Sequence, residues 1–235
     1  QGGGTVFKSY VWEQEFFQGS TSDSGTLTAE TVYVGYGITA PELGYDDYAG
    51  VDVKGKIVVV EPEVPMGPEP NAELFKKWRP YSFHDYKFKN AALHGAAGIV
   101  YNNPIVNPNN VFIKGLIVTH VGGAVMDDLF AGRSQSHTQT LDRIRKMLAP
   151  ASVALGRTVT LTNTTEHHPE GIGSNVLAYL PGSDPVLKDE AILIGAHLDH
   201  LGYNHELMPG AHDNASAVAV LLAAGCGTGQ SSKSD

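Results

Sequence analysis

The sequence predicts a mixed α/β fold in two parts, and three observations lead to that prediction. Seven short runs rich in Val, Ile and Tyr, each bounded by turn residues, have the length and composition of β-strands. Three other stretches repeat apolar residues at helical spacing. Across residues 164–173 the chain changes from β-rich sequence to a strand, loop and helix pattern, which predicts one unit over residues 1–163 and the start of a second over residues 164–235.

The individual elements follow from the same patterns, in chain order. The predicted strands cover residues 31–36, 56–60, 99–101, 115–119, 158–163, 175–179 and 191–195. The predicted helices cover residues 85–94, 137–148 and 214–224. Between the second strand and the first helix, the sequence EPEVPMGPEPNAE predicts a Pro-rich acidic loop over residues 61–73.

Composition excludes several classes of function. The chain has 235 residues, 16 Lys plus Arg against 25 Asp plus Glu, and a net charge of −9, which argues against nucleic acid or an anionic membrane surface as a partner. No apolar run approaches the roughly 20 residues of a membrane-spanning helix. The single cysteine, Cys226, excludes an intramolecular disulfide. Because the chain starts at Gln1 rather than Met, we expect a mature or trimmed product.

The candidate metal-binding residues lie in the stretch from 191 to 224. His197 follows a predicted apolar strand, at the end where open α/β sheets bind ligands. Asp199, two residues on, lies on the same side of an extended segment and could accept the second imidazole N–H. Asp213 directly precedes an apolar helical run. Either Asp213 or Asn214 is only the N-cap of that helix, or Asp213 is a carboxylate ligand. Imidazole and carboxylate at this spacing, with a Gly loop between them, indicate a zinc site.

These motifs resemble those of a known family. The segments GAHLDHLG and PGAHDNASAVAVLL are similar to the co-catalytic di-zinc exopeptidases that include bacterial secreted leucine aminopeptidases and glutamate carboxypeptidase. The resemblance implies that His197 binds one zinc, that Asp199 orients it as a catalytic residue, and that Asp213 bridges two zincs. It also implies a peptide bond to Asn214 that is usually cis.

Two positions depart from the family pattern. Ala217 stands where the family usually has Gly, which is a mild change on a helix. His212 stands where the family often has Asp or Asn, and we expect it to be a solvent-facing loop residue.

The upstream region resembles a second family. The segments VYVGYGITAPELGYDDYAGVDVKGKIVVVEP (32–62) and FKNAALHGAAGIVYNNP (88–104) are similar to the protease-associated domain that accompanies many of these peptidases. The resemblance implies a β-rich protease-associated domain without catalytic residues of its own, followed by the start of a doubly wound α/β zinc peptidase domain. Asp46 and Asp47 could form a calcium site or an acid–base pair. Two carboxylates are too few ligands for a hard cation, so a solvated loop is favoured.

The remaining family ligands have no counterpart here. The family supplies a Glu-Glu pair (base, then ligand), a later Asp or Glu and a final His after the Asp-Asn helix. In this sequence Asp235 is the one acidic residue after Asp213, and no His follows. The resemblance therefore assigns two of five metal ligands and no general base. We expect a truncated chain that is inactive alone, with a missing C-terminal segment or a partner chain completing the site.

Two functions from different classes remain open. The first is a zinc-dependent exopeptidase that cleaves a peptide substrate with a bridging hydroxide, aminopeptidase being favoured over carboxypeptidase. The second is a non-enzymatic protein-binding module built on the protease-associated domain. The family resemblance implies a secreted, periplasmic or otherwise extracytoplasmic location.

Overall fold

The computed structural model describes residues 7–106, 111–203 and 206–231, without the side chains of 227–231. The chain forms two compact units, Gln1–His167 and His168–Asp235. The division falls inside the polar stretch 164–173 at which the sequence changes character.

A six-stranded sheet forms the centre of the first unit. Its strands are β1 (Phe16–Gln18), β2 (Gly25–Tyr33), β5 (Ile57–Val60), β6 (Gly98–Tyr101), β7 (Ile117–Val121) and β8 (Val153–Asn163). They lie in the spatial order β1-β7-β6-β5-β2-β8. The four central strands run parallel, and β1 and β8 pair antiparallel at the edges. The mixed α/β prediction and the first five predicted strands are confirmed, although β2 and β8 both begin earlier in the chain than predicted.

The central strands form because both of their faces are buried. Ile57 and Val59 pack in one hydrophobic cluster with Tyr33, while Val58 and Val60 pack in the other. All four residues of β5 are fully buried. A continuous run of aliphatic residues is therefore the expected sequence for this strand, as it is for parallel strands covered on both sides.

The sheet is curled, and Asn163 at the end of β8 links it to β7. Its side-chain Nδ2 donates to the carbonyl of Val118 at 2.7 Å and to the hydroxyl of Ser22 at 2.8 Å. The side chain is almost fully buried. Because buried amides need such partners, these hydrogen bonds hold the edge strand against the opposite part of the sheet.

Four helices pack with this sheet: α1 (Ala72–Trp78), α2 (His84–Leu93), α3 (Gly123–Phe130) and α4 (His137–Met147). The predictions for α2 and α4 are confirmed within one residue. Helix α1 begins at the end of the predicted acidic loop, where the side chain of Asn71 accepts a hydrogen bond from the Leu74 N–H at 2.9 Å. Helix α3 was not predicted, because its eight residues are fewer than the 11 or so over which helical periodicity is recognised.

The expectation of a solvated loop at Asp46 and Asp47 is wrong for Asp47. Two short strands, β3 (Thr39–Ala40) and β4 (Tyr45–Asp46), place Asp47 in the interior, where it is fully buried. Its carboxylate accepts hydrogen bonds from Tyr45 Oη at 2.9 Å and from the Ile38 N–H at 3.1 Å. Burial raises the pKa of Asp47 to about 7. The aspartate therefore acts as a buried hydrogen-bond acceptor within the domain.

A buried lysine lies near Asp47. Lys87 on α2 donates from Nζ to the carbonyl of Tyr36 at 2.5 Å and is fully buried. Burial lowers the pKa of Lys87 to about 7, and the nearby Asp47 carboxylate opposes that shift. The two groups form a polar centre inside the first unit that the sequence pattern did not reveal.

The second unit has little regular structure before its hairpin. Strands β9 (Gly202–Tyr203) and β10 (Leu207–Met208) pair antiparallel, an irregular turn spans Ala211–Ala215, and helix α5 spans Ser216–Ser231. The predicted helix 214–224 thus starts two residues later and extends to residue 231. None of the described helices is both long enough and apolar enough to cross a membrane.

The predicted strands 175–179 and 191–195 are wrong, because neither segment pairs with another strand among the described residues. Val176 is 98% exposed and Ile192 is 93% exposed. A β-strand needs a neighbour that pairs with its N–H and C=O groups. Within the described part of this unit, the β9–β10 hairpin is the one strand pairing.

Candidate metal centre

His197 and Asp213 approach one another, although 16 residues separate them in the chain. His197 lies in a segment without regular secondary structure before β9. The β9–β10 hairpin then reverses the chain, and the irregular turn after β10 carries Asp213. His197 Nε2 lies 3.1 Å from Asp213 Oδ1. The hairpin thus places together the two residues that the sequence predicts as metal ligands; their role as ligands stays a prediction.

The second ring nitrogen of His197 faces Asp199. Its Nδ1 lies 2.6 Å from the backbone carbonyl of Asp199 and 3.4 Å from the carboxylate oxygen Oδ1. The closer acceptor is therefore the carbonyl rather than the carboxylate that the sequence pattern suggests. Either oxygen would fix the orientation and tautomer of the ring, as partners of metal-bound histidines do.

Oxygen atoms thus flank both ring nitrogens of His197. The hydrogen bond to the Asp199 carbonyl raises the pKa of His197, and the carboxylates of Asp213 and Asp199 add to the increase. A neutral imidazole has one N–H, so one nitrogen would present a lone pair to an oxygen lone pair. A proton on each nitrogen removes this repulsion, and so does a cation between Nε2 and the Asp213 carboxylate. The donor set therefore fits a metal ion.

The backbone around Asp213 is not helical. Asp213 has φ −118° and ψ 91°, and Asn214 has φ −137° and ψ 27°. The peptide bond between them is cis, as the family resemblance implies. Because α5 begins at Ser216, Ala215 occupies the position directly before the helix. The two non-helical residues, Asp213 and Asn214, thus lie just before the start of α5.

Two further histidines flank this pair. His200 Nδ1 lies 3.9 Å from Asp213 Oδ2, the carboxylate oxygen that does not face His197. Sequence reasoning missed His200, although it belongs to the same motif, because it considered only the His-x-Asp pattern. His212 is exposed, and its backbone carbonyl accepts a hydrogen bond from Ser216 Oγ at 2.8 Å.

An imidazole nitrogen and a carboxylate oxygen are ligands that zinc takes in proteins. In the described ranges, no group of three or more His, Cys, Asp or Glu side chains is arranged to hold a metal ion. His197 and Asp213 thus fit a metal site as two of its members.

Comparison with known proteins gives three findings. Residues 26–129 match the model of the PA domain, and residues 175–232 match the model of peptidase family M28. No curated protein matches the chain. Among solved structures, an aminopeptidase from Aneurinibacillus sp. strain AM-1 is similar, with 22% identity, a TM-score of 0.36 and 88% coverage of this chain. This chain spans 41% of the length of that aminopeptidase.

The order of the two matches follows the order of the two units. The PA-domain match lies within the first unit, and the family M28 match lies within the second. Residues 175–232 are thus similar to peptidase family M28.

Proposed function

We propose that the second unit is part of a zinc-dependent exopeptidase in which His197 and Asp213 are two of the metal ligands. The observation that carries the proposal is the 3.1 Å approach of His197 Nε2 to Asp213 Oδ1, inside the segment that matches family M28. Asp199 serves this pair by holding the other ring nitrogen, so that Nε2 stays directed at the carboxylate.

When bound, zinc supplies the Lewis acidity that polarises a peptide carbonyl and lowers the pKa of water. Proton transfer from that water needs a general base. After Asp213 the sequence contains no Glu, no His and a single Asp at position 235. We therefore infer that the 235-residue chain binds zinc but does not hydrolyse peptides alone, and that a further segment or a partner chain supplies the base.

The proposed substrate is a peptide with a free amino terminus. This choice rests on the resemblance of the segment containing His197 and Asp213 to bacterial leucine aminopeptidases. On the same resemblance, we also propose that the protein works outside the cytoplasm.

Zinc binding to the full chain tests this proposal. We expect equilibrium dialysis with metal analysis to show bound zinc, and His197→Ala or Asp213→Ala to weaken binding by more than about tenfold, since each removes a ligand. Asp189→Ala is the matched control, because Asp189 is an exposed aspartate of the same unit. Aminoacyl-nitroanilides should stay intact in the presence of the wild-type chain and zinc.

Two outcomes would contradict the proposal. Zinc binding that is unaffected by both substitutions would show that the ion binds elsewhere. No bound zinc at all would favour the alternative, a protein-binding module built on the protease-associated domain. Hydrolysis that EDTA abolishes would overturn only the inference that the chain lacks a base.

A further inference from the structure

His200 faces the side of the Asp213 carboxylate that His197 leaves open. Its Nδ1 lies 3.9 Å from Oδ2, while His197 Nε2 lies 3.1 Å from Oδ1. The two oxygens of one carboxylate therefore face two different imidazoles. The side chain of His200 is 24% exposed, against 48% for His197 and 69% for Asp213, which makes it the most buried of the three.

The approach of His200 depends on a glycine. Gly210 has φ +69°, and a Cβ at this position would lie 2.5 Å from His200 Cβ and 2.7 Å from the backbone carbonyl oxygen of Asp213. Any other residue would force the loop and the imidazole apart, in addition to the strain that a side chain meets at this φ. The loop after β10 is thus shaped so that His200 packs directly against the turn that carries Asp213.

We propose that His200 is a positioning residue for Asp213, a role that rests on the proposed function of this site. A carboxylate held at one oxygen can still rotate, which would move Oδ2 away from the place where a metal needs it. At 3.9 Å, His200 Nδ1 lies just beyond hydrogen-bond length from Oδ2, so a small rotation of either side chain brings the ring N–H onto that oxygen. The contact limits further rotation and organises the carboxylate before the metal arrives. His200 acts through Asp213 and is not itself counted among the ligands.

The role predicts a difference between two substitutions. His200→Asn keeps an N–H donor close to the position of Nδ1, whereas His200→Leu keeps the bulk and removes the donor. We expect His200→Leu to weaken zinc binding by about tenfold, the lower end of the loss seen for groups that support metal ligands. His200→Asn should retain most of the wild-type affinity. Leu198→Ala is the control, because this exposed residue lies on the same segment.

A metal-free measurement separates this proposal from the function on which it rests. In the zinc-free full chain, ¹⁵N NMR of the histidine ring nitrogens should show that Asp213→Asn shifts the signals of His200 as well as those of His197. Gly210→Ala should shift the His200 signals too, because the added methyl group displaces the ring. The wild-type zinc measurement tests the proposed function, and the ring-nitrogen signals test His200 whether or not zinc binds.

Three results would overturn the role of His200. The first is an unchanged His200 signal in Asp213→Asn, because the two side chains would then not interact. The second is wild-type zinc affinity in His200→Leu. The third is an equal loss of affinity in His200→Leu and His200→Asn, because the donor would then not be what matters.

Discussion

Two runs of aliphatic residues, one in each unit, have similar sequences and opposite surroundings. Ile57–Val60 of the first unit is fully buried, with every side chain at 0% exposure. In the second unit the run AILI at residues 191–194 is exposed, with Ile192 at 93% and Leu193 at 91%. Apolar composition alone therefore does not decide whether such a run becomes a buried strand.

The difference lies in what surrounds each run. Strand β5 pairs with β2 on one side and with β6 on the other, and hydrophobic clusters cover both of its faces. The run at 191–194 has no such ladder among the described residues of its unit. A strand is stabilised by its pairs and by burial, so similar sequences adopt different states in the two contexts. Among the described residues of its unit, the candidate metal centre is correspondingly formed around a hairpin and a turn rather than a larger sheet.

Truncating one isoleucine in each unit should give the largest difference between the two units. Ile99 in β6 is fully buried, and Ile192 is 93% exposed. Ile99→Ala should lower the free energy of unfolding by about 2–5 kcal/mol, because it removes buried methyl groups and leaves a cavity. Ile192→Ala should change it by less than about 0.5 kcal/mol. Urea unfolding followed by tyrosine and tryptophan fluorescence measures both, and equal losses would show that residues 191–194 are buried in solution.

The different surroundings of the two runs also explain how much of the fold and of the candidate site the sequence could predict. The parallel strands of the first unit were predictable, because their aliphatic runs and bounding turns agree with their tertiary burial. The prediction for Asp47 was wrong, because two adjacent acidic residues are typical of a solvated loop. Only the tertiary structure shows that β3 and β4 place Asp47 in the interior. The approach of His197 to Asp213 followed from motif order alone. The part played by His200 depends on the shape of the loop at Gly210, which no spacing rule describes.

A buried histidine of the first unit gives the next largest effect. His120 at the end of β7 is almost fully buried, and its Nδ1 lies 2.9 Å from the carbonyl of Asn103. Burial lowers the pKa of His120 to about 4, in contrast to the raised pKa of the exposed His197. Because the folded pKa lies below the unfolded value of about 6.5, the unfolded state binds more protons in this window.

His120 therefore has almost no effect on the pH dependence above pH 6.5, where it is neutral in both states, and it destabilises the fold increasingly as the pH falls towards 4. We expect the loss of unfolding free energy at pH 4, relative to pH 7, to be about 3 kcal/mol. His120→Asn keeps an N–H near the position of Nδ1 and cannot titrate. The difference in unfolding free energy between wild type and variant, measured by urea titration from pH 4 to pH 7, should change in favour of wild type as the pH rises. A difference that is constant with pH would show that His120 is accessible to protons in the folded state.

The smallest expected change in unfolding free energy concerns the serines at the starts of two helices. Ser136 caps α4 through a full capping box: its side chain accepts a hydrogen bond from the Gln139 N–H, and the Gln139 side chain accepts one from the Ser136 N–H. Ser136→Ala should therefore lower the unfolding free energy by about 1 kcal/mol. Ser216 begins α5 and donates to the His212 carbonyl within an exposed turn. Ser216→Ala should leave the urea transition of the first unit unchanged, because the two units form separate compact bodies. A matching shift in both variants would show that the two units unfold as one.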